Sequence, residues 1–476
     1  MKSLFTFVLL SFFGSAHALQ LDVRSYNFFG DAPYTEIYLR ITGQSITWKN
    51  NSASVQILLL VKDKSENIAA YDKITLTLEK KDSIVDLLEV KRFKLLPETY
   101  IIRLEAIDLN KEANKMEIEQ KLIVPLANAS YKLSDLLPLA LVKNDSTEGS
   151  FIKSGLYLEP LPFHFADKTK KQLDIYLESY KNMGTDANEL FIQYSVKEGF
   201  ISKAAEKPLF SKFKKLQNLP TEAHLISLPI HAIKSGEYHV EVNIIDKQKN
   251  VLATSKGDFV KDNPEIDIAF FEAYNDTPEH AFVQEIQPED MDYVLKAHLP
   301  ITEQHQVGVL GELIRSNKIK SQRQFIFQLW KKRSPTSPDK AYKMYMDVAA
   351  AVEKKFHTNV GYGFQSDRGH IFLKYGKPSN VMTVDNEVDA PPYEIWYYNQ
   401  MPSTTQTNVR FLFYNPTLAH NDFRLLHSTC LGERVNLAWE TELYKSVPME
   451  RQGNTIDATT VGENWNRNAR RFFNEY

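Results

Sequence analysis

The sequence predicts a mainly β, multidomain protein in which two antiparallel β-sandwiches precede a C-terminal α+β domain. Three observations lead to this prediction. Short runs of alternating apolar and polar residues recur through the first half of the chain, a helical period replaces them after Pro264, and alternation returns after Gly361. At 476 residues the chain is long enough for about three domains.

The composition is that of a folded protein. Hydrophobic residues make up 43% of the chain and charged residues 25%, which excludes the disordered and fibrous classes. Aromatic residues reach 12%, a content that suits β-rich cores. The formal net charge of −3 provides no basic field for nucleic acid, so no nucleic-acid partner is expected.

Residues 1–18 are predicted to be a secretory signal peptide. Lys2 supplies a positive charge, residues 4–13 form an apolar core too short to span a membrane, and the small residues Ala16 and Ala18 precede the expected cut. The alternative, a buried N-terminal strand, would not need small residues there. We therefore expect export to the periplasm or cell surface, and no later segment is long and apolar enough to predict a transmembrane segment in the mature protein.

The first sandwich is expected over residues 19–127. Alternating runs at 19–23, 35–41 and 73–79 are separated by turn-forming residues. This pattern is typical of antiparallel strands with one buried face and one solvent-facing face.

A second sandwich is expected over residues 154–263, joined to the first by a linker over 128–153. In each copy a turn precedes a tyrosine, Tyr100 or Tyr238, and alternating apolar residues then lead to an Asp and a polar hairpin tip. A tyrosine at this place resembles the tyrosine corner of immunoglobulin-like sandwiches, which is the fold we predict for both copies. A chance similarity between two β-hairpins is the alternative.

Residues 264–445 are predicted to form a helical segment followed by an antiparallel meander, an α+β arrangement. Helices are expected from Pro288 to His298, from Lys318 to Arg333, and from Ser337, where a hydroxyl cap precedes a proline and an acidic residue. The third helix carries an apolar stripe that should face a core, formed by Tyr342, Tyr345, Ala349, Val352 and Phe356. The expected strands are 370–375, 392–398, 409–414 and 423–428.

The last residues, 446–476, are polar and weakly periodic. They are expected to form a C-terminal tail. Two alternatives remain open: the tail is loose, or it contains a helix docked by Trp465, Phe472 and Phe473.

The most specific motif is Gly363-Phe364-Gln365-Ser366-Asp367-Arg368-Gly369, followed closely by Tyr375-Gly376-Lys377-Pro378. It resembles the signature of the GWxTD-domain proteins, with Phe364 in place of the family's Trp and Ser366 in place of its Thr. The resemblance extends over residues 284–427. It implies an exported bacterial protein, in a family whose biochemical activity is unassigned.

The residues of the motif are compatible with a structural role. Ser366 and Asp367 can accept backbone N–H bonds in a turn, with Gly369 at its last position. Arg368 can then pair with a carboxylate such as Glu394 on the next strand.

A catalytic role is the alternative. Asp367 would then act as a general acid or base beside Arg368, His370 and Glu394, which are the candidate catalytic residues if the protein is an enzyme.

No pattern for a metal or cofactor is present, and none is expected. The sequence lacks paired cysteines, a His-Glu-x-x-His helix, a calcium loop and a phosphate-binding loop. Cys430 is the single cysteine, so an intramolecular disulfide is impossible. A buried, inert thiol is expected there, and a reactive nucleophile is the alternative.

Together these features predict a non-catalytic interaction or assembly protein of the bacterial periplasm or cell surface. Its partner would be an envelope protein or a glycan. The rival hypothesis is an envelope hydrolase or glycan-processing enzyme with its site near Asp367, Arg368 and Glu394. A deep pocket at these residues would favour the enzyme, and a buried arginine–carboxylate pair would favour the scaffold.

Overall fold

The computed structural model describes residues 19–475 except for a set of gaps, and it divides them into two compact units. The N-terminal unit ends at Asp267 and the C-terminal unit begins at Ile268. The predicted signal peptide lies outside the described residues. The gaps are 31–32, 81–83, 112–113, 127–128, 146, 148, 183–188, 202–206, 218, 274–280, 360, 402–405, 431, 437–438 and 445–466.

The N-terminal unit consists mainly of β-strands, which confirms the predicted mainly β character. All their pairings are antiparallel except the short parallel contact between the twelfth and eighteenth strands. The strands are β1 (Leu21–Phe28), β2 (Tyr34–Ile41), β3 (Ser52–Lys62), β4 (Ile68–Glu79), β5 (Leu87–Phe93), β6 (Thr99–Asp108), β7 (Lys115–Ile123), β8 (Tyr131–Leu133), β9 (Leu137–Asn144), β10 (Ile152–Lys153), β11 (Leu156–Pro160), β12 (Phe165–Ala166), β13 (Gln172–Lys181), β14 (Phe191–Glu198), β15 (Phe210–Lys215), β16 (Thr221–Pro229), β17 (Gly236–Ile245) and β18 (Val251–Lys261).

These strands form four sheets with three hydrophobic cores between them. The sheet orders are β4-β3-β6-β7, β1-β2-β5, β10-β11-β9-β13-β16 with β8 beside β13, and β12-β18-β17-β14-β15. The first core packs Ile57 of β3 with Ile37 of β2, and the third packs Ile175 of β13 with Val240 of β17. The middle core joins the second sheet to the third through residues such as Tyr38 and Leu139.

The expectation of one solvent-facing side for every sheet is wrong for β1-β2-β5. Side chains of β2 alternate between two cores, because Leu39 lies in the first core and Tyr38 in the middle one. A strand of period two places successive side chains on opposite faces, so both faces of this sheet are covered.

The expected linker over 128–153 also differs from the structure. β8, β9 and β10 lie within this segment, and β9 pairs with both β11 and β13. Leu137 and Leu139 of β9 are fully buried. The apolar run of this segment therefore completes the third sheet instead of separating two sandwiches.

The C-terminal unit contains helices followed by an antiparallel meander, β19-β20-β21-β22. The predicted strands 392–398, 409–414 and 423–428 correspond to β20, β21 and β22, while the strand predicted at 370–375 is wrong because this segment is helical. The elements are α1 (Pro264–Ala273), which crosses the boundary between the units, α2 (Met291–His298), α3 (Gln304–Arg315), α4 (Ile319–Arg333), α5 (Pro338–Phe356), α6 (Asp367–Tyr375), β19 (Asn380–Val384), β20 (Tyr393–Gln400), β21 (Thr407–Tyr414), β22 (Arg424–Ser428), α7 (Trp439–Leu443) and α8 (Ala469–Glu475).

The helix predicted to begin after Ser337 is present as α5, with Pro338 in its first turn. Its predicted stripe faces the core: Ala349, Val352 and Phe356 are buried. No helix among the described residues combines the length and the apolar character needed to cross a membrane.

The last described residues form a helix, α8, that packs against other elements of the C-terminal unit. Phe473 of α8 is buried in a cluster with Trp439 of α7 and Leu412 of β21. Tyr397 of β20 also donates a hydrogen bond of 2.6 Å to the carbonyl of Phe472. Trp465, the other residue expected to dock this helix, lies outside the described residues.

Candidate functional site

The motif that resembles the GWxTD signature forms the start of α6. A 3₁₀ turn over Gly363–Gln365 leads directly into the helix, and Ser366 is the N-cap. The Ser366 hydroxyl accepts a hydrogen bond of 3.1 Å from the amide of Gly369 and donates one of 2.6 Å to the carbonyl of Gly363. A serine that accepts from the third amide of a helix satisfies a donor that would otherwise have no partner.

Two glycines of the motif allow this tight turn. A Cβ atom on Gly369 would collide with the carbonyl oxygen of Gly363, and a Cβ on Gly363 would collide with the carbonyl oxygen of Glu353 in α5. Because backbone cannot move aside as a side-chain tip can, a larger residue at Gly363 would displace the turn from α5, and one at Gly369 would displace α6 from the turn. Close approach of backbone to backbone is a common reason for glycine.

Phe364 fills the core at the position where the family has tryptophan. Its side chain is 1% exposed and its ring lies 5.0 Å from that of Tyr293 and 5.1 Å from that of Tyr362, measured between centroids. The substitution therefore retains a buried aromatic residue. Ser366 likewise retains the hydroxyl that a threonine would offer as a helix cap.

Arg368 and Glu394 form the ion pair that the sequence predicts. The distance between Arg368 Nη1 and Glu394 Oε1 is 2.7 Å, and the side chains are 4% and 13% exposed. The second oxygen of Glu394 accepts a hydrogen bond of 2.9 Å from the indole of Trp396. Desolvation lowers the pKa of Arg368, and the neighbouring Glu394 opposes this shift.

Arg368 also binds a loop that sequence reasoning missed. Its Nη2 donates to Asn421 Oδ1 at 3.0 Å, and its guanidinium carbon lies 4.0 Å above the ring centroid of Phe423. Asn421 in turn donates to the carbonyl of His357, which follows α5. Asn421 has a φ of 60°, a left-handed conformation that asparagine tolerates better than most residues. The tolerance of asparagine for this conformation was the one feature of the sequence that could have indicated the role of Asn421.

Asp367 binds a strand instead of the turn for which it was predicted. Its Oδ2 accepts a hydrogen bond of 2.6 Å from the amide of Leu425 in β22. Although the residue as a whole is exposed, desolvation of the carboxyl group raises its pKa, and the Leu425 amide opposes that rise. Its place in the first turn also suits a negative charge near the positive end of the helix dipole.

His370 lies one turn further along α6 and is partly buried. Desolvation lowers its pKa to about 4, helped by the positive charge of Lys374. The imidazole is therefore uncharged near neutral pH. Of the four candidate residues, Arg368 and Glu394 are thus paired directly, while Asp367 is hydrogen-bonded to the backbone of β22.

Two hollows in the described part of the molecule lie away from the motif. One has a volume of about 10 Å³, room for about one water molecule, and is lined by residues including Tyr38 and Phe151. The other is a shallow depression of about 280 Å³ beside Phe327 and Lys331. Among the residues that the structure describes, no group of three or more His, Cys, Asp or Glu side chains is placed to hold a metal ion.

Cys430 is buried, with 1% of its surface exposed. Its sulfur lies 3.7 Å from the amide oxygen of Gln406. Desolvation raises the pKa of the thiol, which disfavours the reactive thiolate.

The fold and the motif define a β-rich protein whose C-terminal α+β unit contains a capped helix and a buried ion pair. A family model described as the GWxTD domain matches residues 310–441, so the resemblance predicted from the motif is confirmed and the chain carries a GWxTD domain. No curated protein matches the chain.

A comparison with solved structures gives a match to the crystal structure of red sea bream transglutaminase. The identity is 8%, the alignment covers 51% of this chain and 31% of that one, and the TM-score is 0.17. The chain therefore spans less than a third of that enzyme's length. A TM-score this low does not establish a shared fold.

Proposed function

We propose that this protein is an exported, non-catalytic interaction or assembly protein of the bacterial periplasm or cell surface. The proposal rests on one observation: the polar side chains of the motif form hydrogen bonds and an ion pair within the protein. Ser366 caps α6, Asp367 accepts from the backbone of β22, and Arg368 is neutralised by Glu394. Asp367 is exposed as a whole residue, but its Oδ2 is bound to the backbone of β22. Polar groups that bond within the protein in this way stabilise a fold, whereas a catalytic acid or base has to exchange a proton with a substrate.

We further propose that the N-terminal unit contains two immunoglobulin-like sandwiches that arose by duplication. Tyr100 at the start of β6 donates a hydrogen bond of 2.9 Å to the carbonyl of Leu96, and Tyr238 in β17 donates one of 2.9 Å to the carbonyl of Lys234. Both tyrosines are buried, and both reach back four residues across a turn. This equivalence supports a tyrosine corner in each sandwich.

Immunoglobulin-like modules on exported proteins commonly serve as spacers and binding modules, and this step of the proposal is an analogy at the level of fold. The middle core of the N-terminal unit adds physical support. Because Tyr38, Leu139 and neighbouring residues are buried between the second and third sheets, the two sandwiches are held in a fixed position relative to each other. A fixed spacing of the two outer sheets suits a protein that binds or positions an envelope protein or a glycan.

Export is tested by the N-terminus of the mature protein. Cells producing the full chain should yield a periplasmic or surface form that begins at Leu19, as read by N-terminal sequencing of the fractionated protein. A mature form that retains Met1 would contradict export by cleavage after Ala18.

The absence of catalysis by the motif is tested by affinity capture from the native envelope with the full-length chain and its Asp367→Asn variant. The amide oxygen of asparagine can still accept from Leu425, so we expect the variant to fold and to recover the same envelope partner as the wild type. The rival hypothesis is an envelope hydrolase with its site near Asp367, Arg368 and Glu394. It predicts that Asp367→Asn keeps its melting temperature but abolishes turnover of an envelope substrate.

A further inference from the structure

Lys153 is a buried lysine held at the middle core of the N-terminal unit. It ends β10, and the two residues that connect β10 to β11, Ser154 and Gly155, have φ angles of 50° and 76°. Two consecutive left-handed residues are typical of the tight type I′ hairpin turn. This turn fixes the backbone from which the lysine side chain extends.

The surroundings of Lys153 are aromatic. Its Nζ lies 3.0 Å from the ring centroid of Phe28, 5.3 Å from that of Tyr34 and 5.4 Å from that of Tyr176, and the side chain is 9% exposed. Desolvation lowers the pKa of this amine, with neighbouring carboxylates opposing the shift. Burial therefore increases the share of the neutral amine, which is the nucleophilic form.

Two carboxylates face this amine. The Nζ of Lys153 is 3.4 Å from Glu36 Oε1 in β2 and 3.6 Å from Glu178 Oε1 in β13. The Glu36 side chain is fully buried. Each of its oxygens already accepts a hydrogen bond of 2.8 Å, Oε1 from Arg92 Nε and Oε2 from the hydroxyl of Tyr38.

Glu178 is bound differently. Its oxygens accept from two tyrosine hydroxyls, at 2.6 Å from Tyr176 and 2.5 Å from Tyr180. The amine of Lys153 therefore lies between two carboxylates. That of Glu36 is bound by the guanidinium of Arg92, and that of Glu178 is bound by two tyrosine hydroxyls. Arg92 gives the first a cationic donor, which can stabilise negative charge on the oxygens of a tetrahedral intermediate.

We propose that Lys153 and Glu36 condense in the folded protein to form an intramolecular isopeptide bond. The Nζ–Cδ bond forms and one Cδ–O bond of Glu36 breaks. The ammonium gives up two protons and the carboxylate one oxygen, which leave together as water, so charge balances and no oxidant, reductant or cofactor is needed. Glu178 accepts these two protons from the nitrogen one after the other and passes each to the departing oxygen, while Arg92 and Tyr38 hold the oxygens of Glu36.

Two physical effects favour this condensation over a lasting ion pair. Lys153 and Glu36 are held in contact, and reactants held in this way behave as if at effective concentrations of about 10⁵–10⁸ M, which lowers the barrier to amide formation. An amide also removes the buried charges of Lys153 and Glu36, which are unfavourable to keep away from water. With Lys153 9% exposed and Glu36 fully buried, water that could hydrolyse the product has little access to the bond.

The bond would join the second sheet to the third, because Glu36 lies in β2 and Lys153 in β10. It would link the two sandwiches covalently in a chain whose single cysteine cannot form an internal disulfide. This inference goes beyond the proposed function and does not depend on it.

Mass spectrometry of tryptic peptides from the purified full chain tests the proposal. Trypsin cannot cut at an acylated lysine, so we expect a branched peptide in which residues 144–168 are joined to residues 25–40, one water molecule lighter than the sum of the two. A branch between 144–168 and 172–181 would overturn the assignment to Glu36. Linear peptides ending at Lys153 in all molecules would overturn the proposal.

Intact masses of variants provide the matched control. Lys153→Arg retains the charge and cannot form this bond, so its mass should equal that of its sequence. Lys197→Arg alters a comparable lysine, whose Nζ lies 3.2 Å from Glu241, and should remain one water lighter like the wild type. Equal mass deficits in both variants would refute the role of Lys153. The peptide map of the wild type decides the question even if Lys153→Arg fails to fold.

Discussion

Replacing Arg368 with alanine should destabilise the C-terminal unit strongly. The substitution leaves Glu394 in a site where its side chain is 13% exposed, with the Trp396 indole as its remaining hydrogen-bond donor. Breaking a buried pair by removing one partner costs about 3–5 kcal/mol, because the other charge remains uncompensated. The lost contacts to Asn421 and Phe423 act in the same direction, so we expect a loss of at least about 3 kcal/mol.

A matched control lies in the same unit. Arg315 pairs with Glu312 at 2.9 Å, but its side chain is 70% exposed. Exposed pairs contribute about 0–1 kcal/mol, so Arg315→Ala should cost less than about 1 kcal/mol. Comparing the two arginines separates the effect of burial from that of losing a positive charge.

Urea denaturation followed by tryptophan fluorescence is a suitable assay. Four of the five tryptophans follow Ile268 in the chain, so the signal reports mainly on the C-terminal unit. Arg368→Ala should lower the transition midpoint far more than Arg315→Ala. If both variants unfold like the wild type, the structural role of Arg368 is refuted.

Three further predictions follow from local contacts. Ser366→Ala should cost about 1 kcal/mol through loss of the helix cap, and Ser366→Thr should restore it; equal midpoints for all three proteins in the same titration would contradict the cap. Tyr100→Phe and Tyr238→Phe should each cost about 1 kcal/mol of unfolding free energy, and a cost at only one site would argue against equivalent tyrosine corners. Folding lowers the pKa of His298 to about 4 from 6.5, chiefly by desolvation, so between these values the unfolded chain binds the extra proton. Stability should therefore fall as pH is lowered through this window, and a urea midpoint for the C-terminal unit that does not change with pH would contradict this.

The helical start of the motif was predictable from signals present in the sequence. Ser366 followed by an acidic residue is a helix-start pattern, and Gly376, with a φ of 79°, ends α6 two residues before Pro378. The β-prone residues between them favour a strand when read alone. Packing decides the outcome, because Ile371 and Leu373 are buried on the helix.

The ion pair was predictable because both of its members lie in the motif region and have complementary chemistry. The contact between Arg368 and Asn421 was not, because it joins a helix start to a loop 53 residues away through a left-handed backbone. The linker expected over 128–153 failed for a related reason. Leu137 and Leu139 read as a short apolar run, and only long-range pairing of β9 with β13 makes them part of a sheet.

A double-mutant cycle on Arg368 and Glu394 tests most directly whether the motif holds the domain together. The unfolding free energies of Arg368→Ala, Glu394→Ala and the double variant give the coupling between the two side chains. Our account predicts a favourable coupling on the order of 1–3 kcal/mol, as for residues in one buried network. A coupling indistinguishable from zero, with the single variants as stable as the wild type, would contradict it.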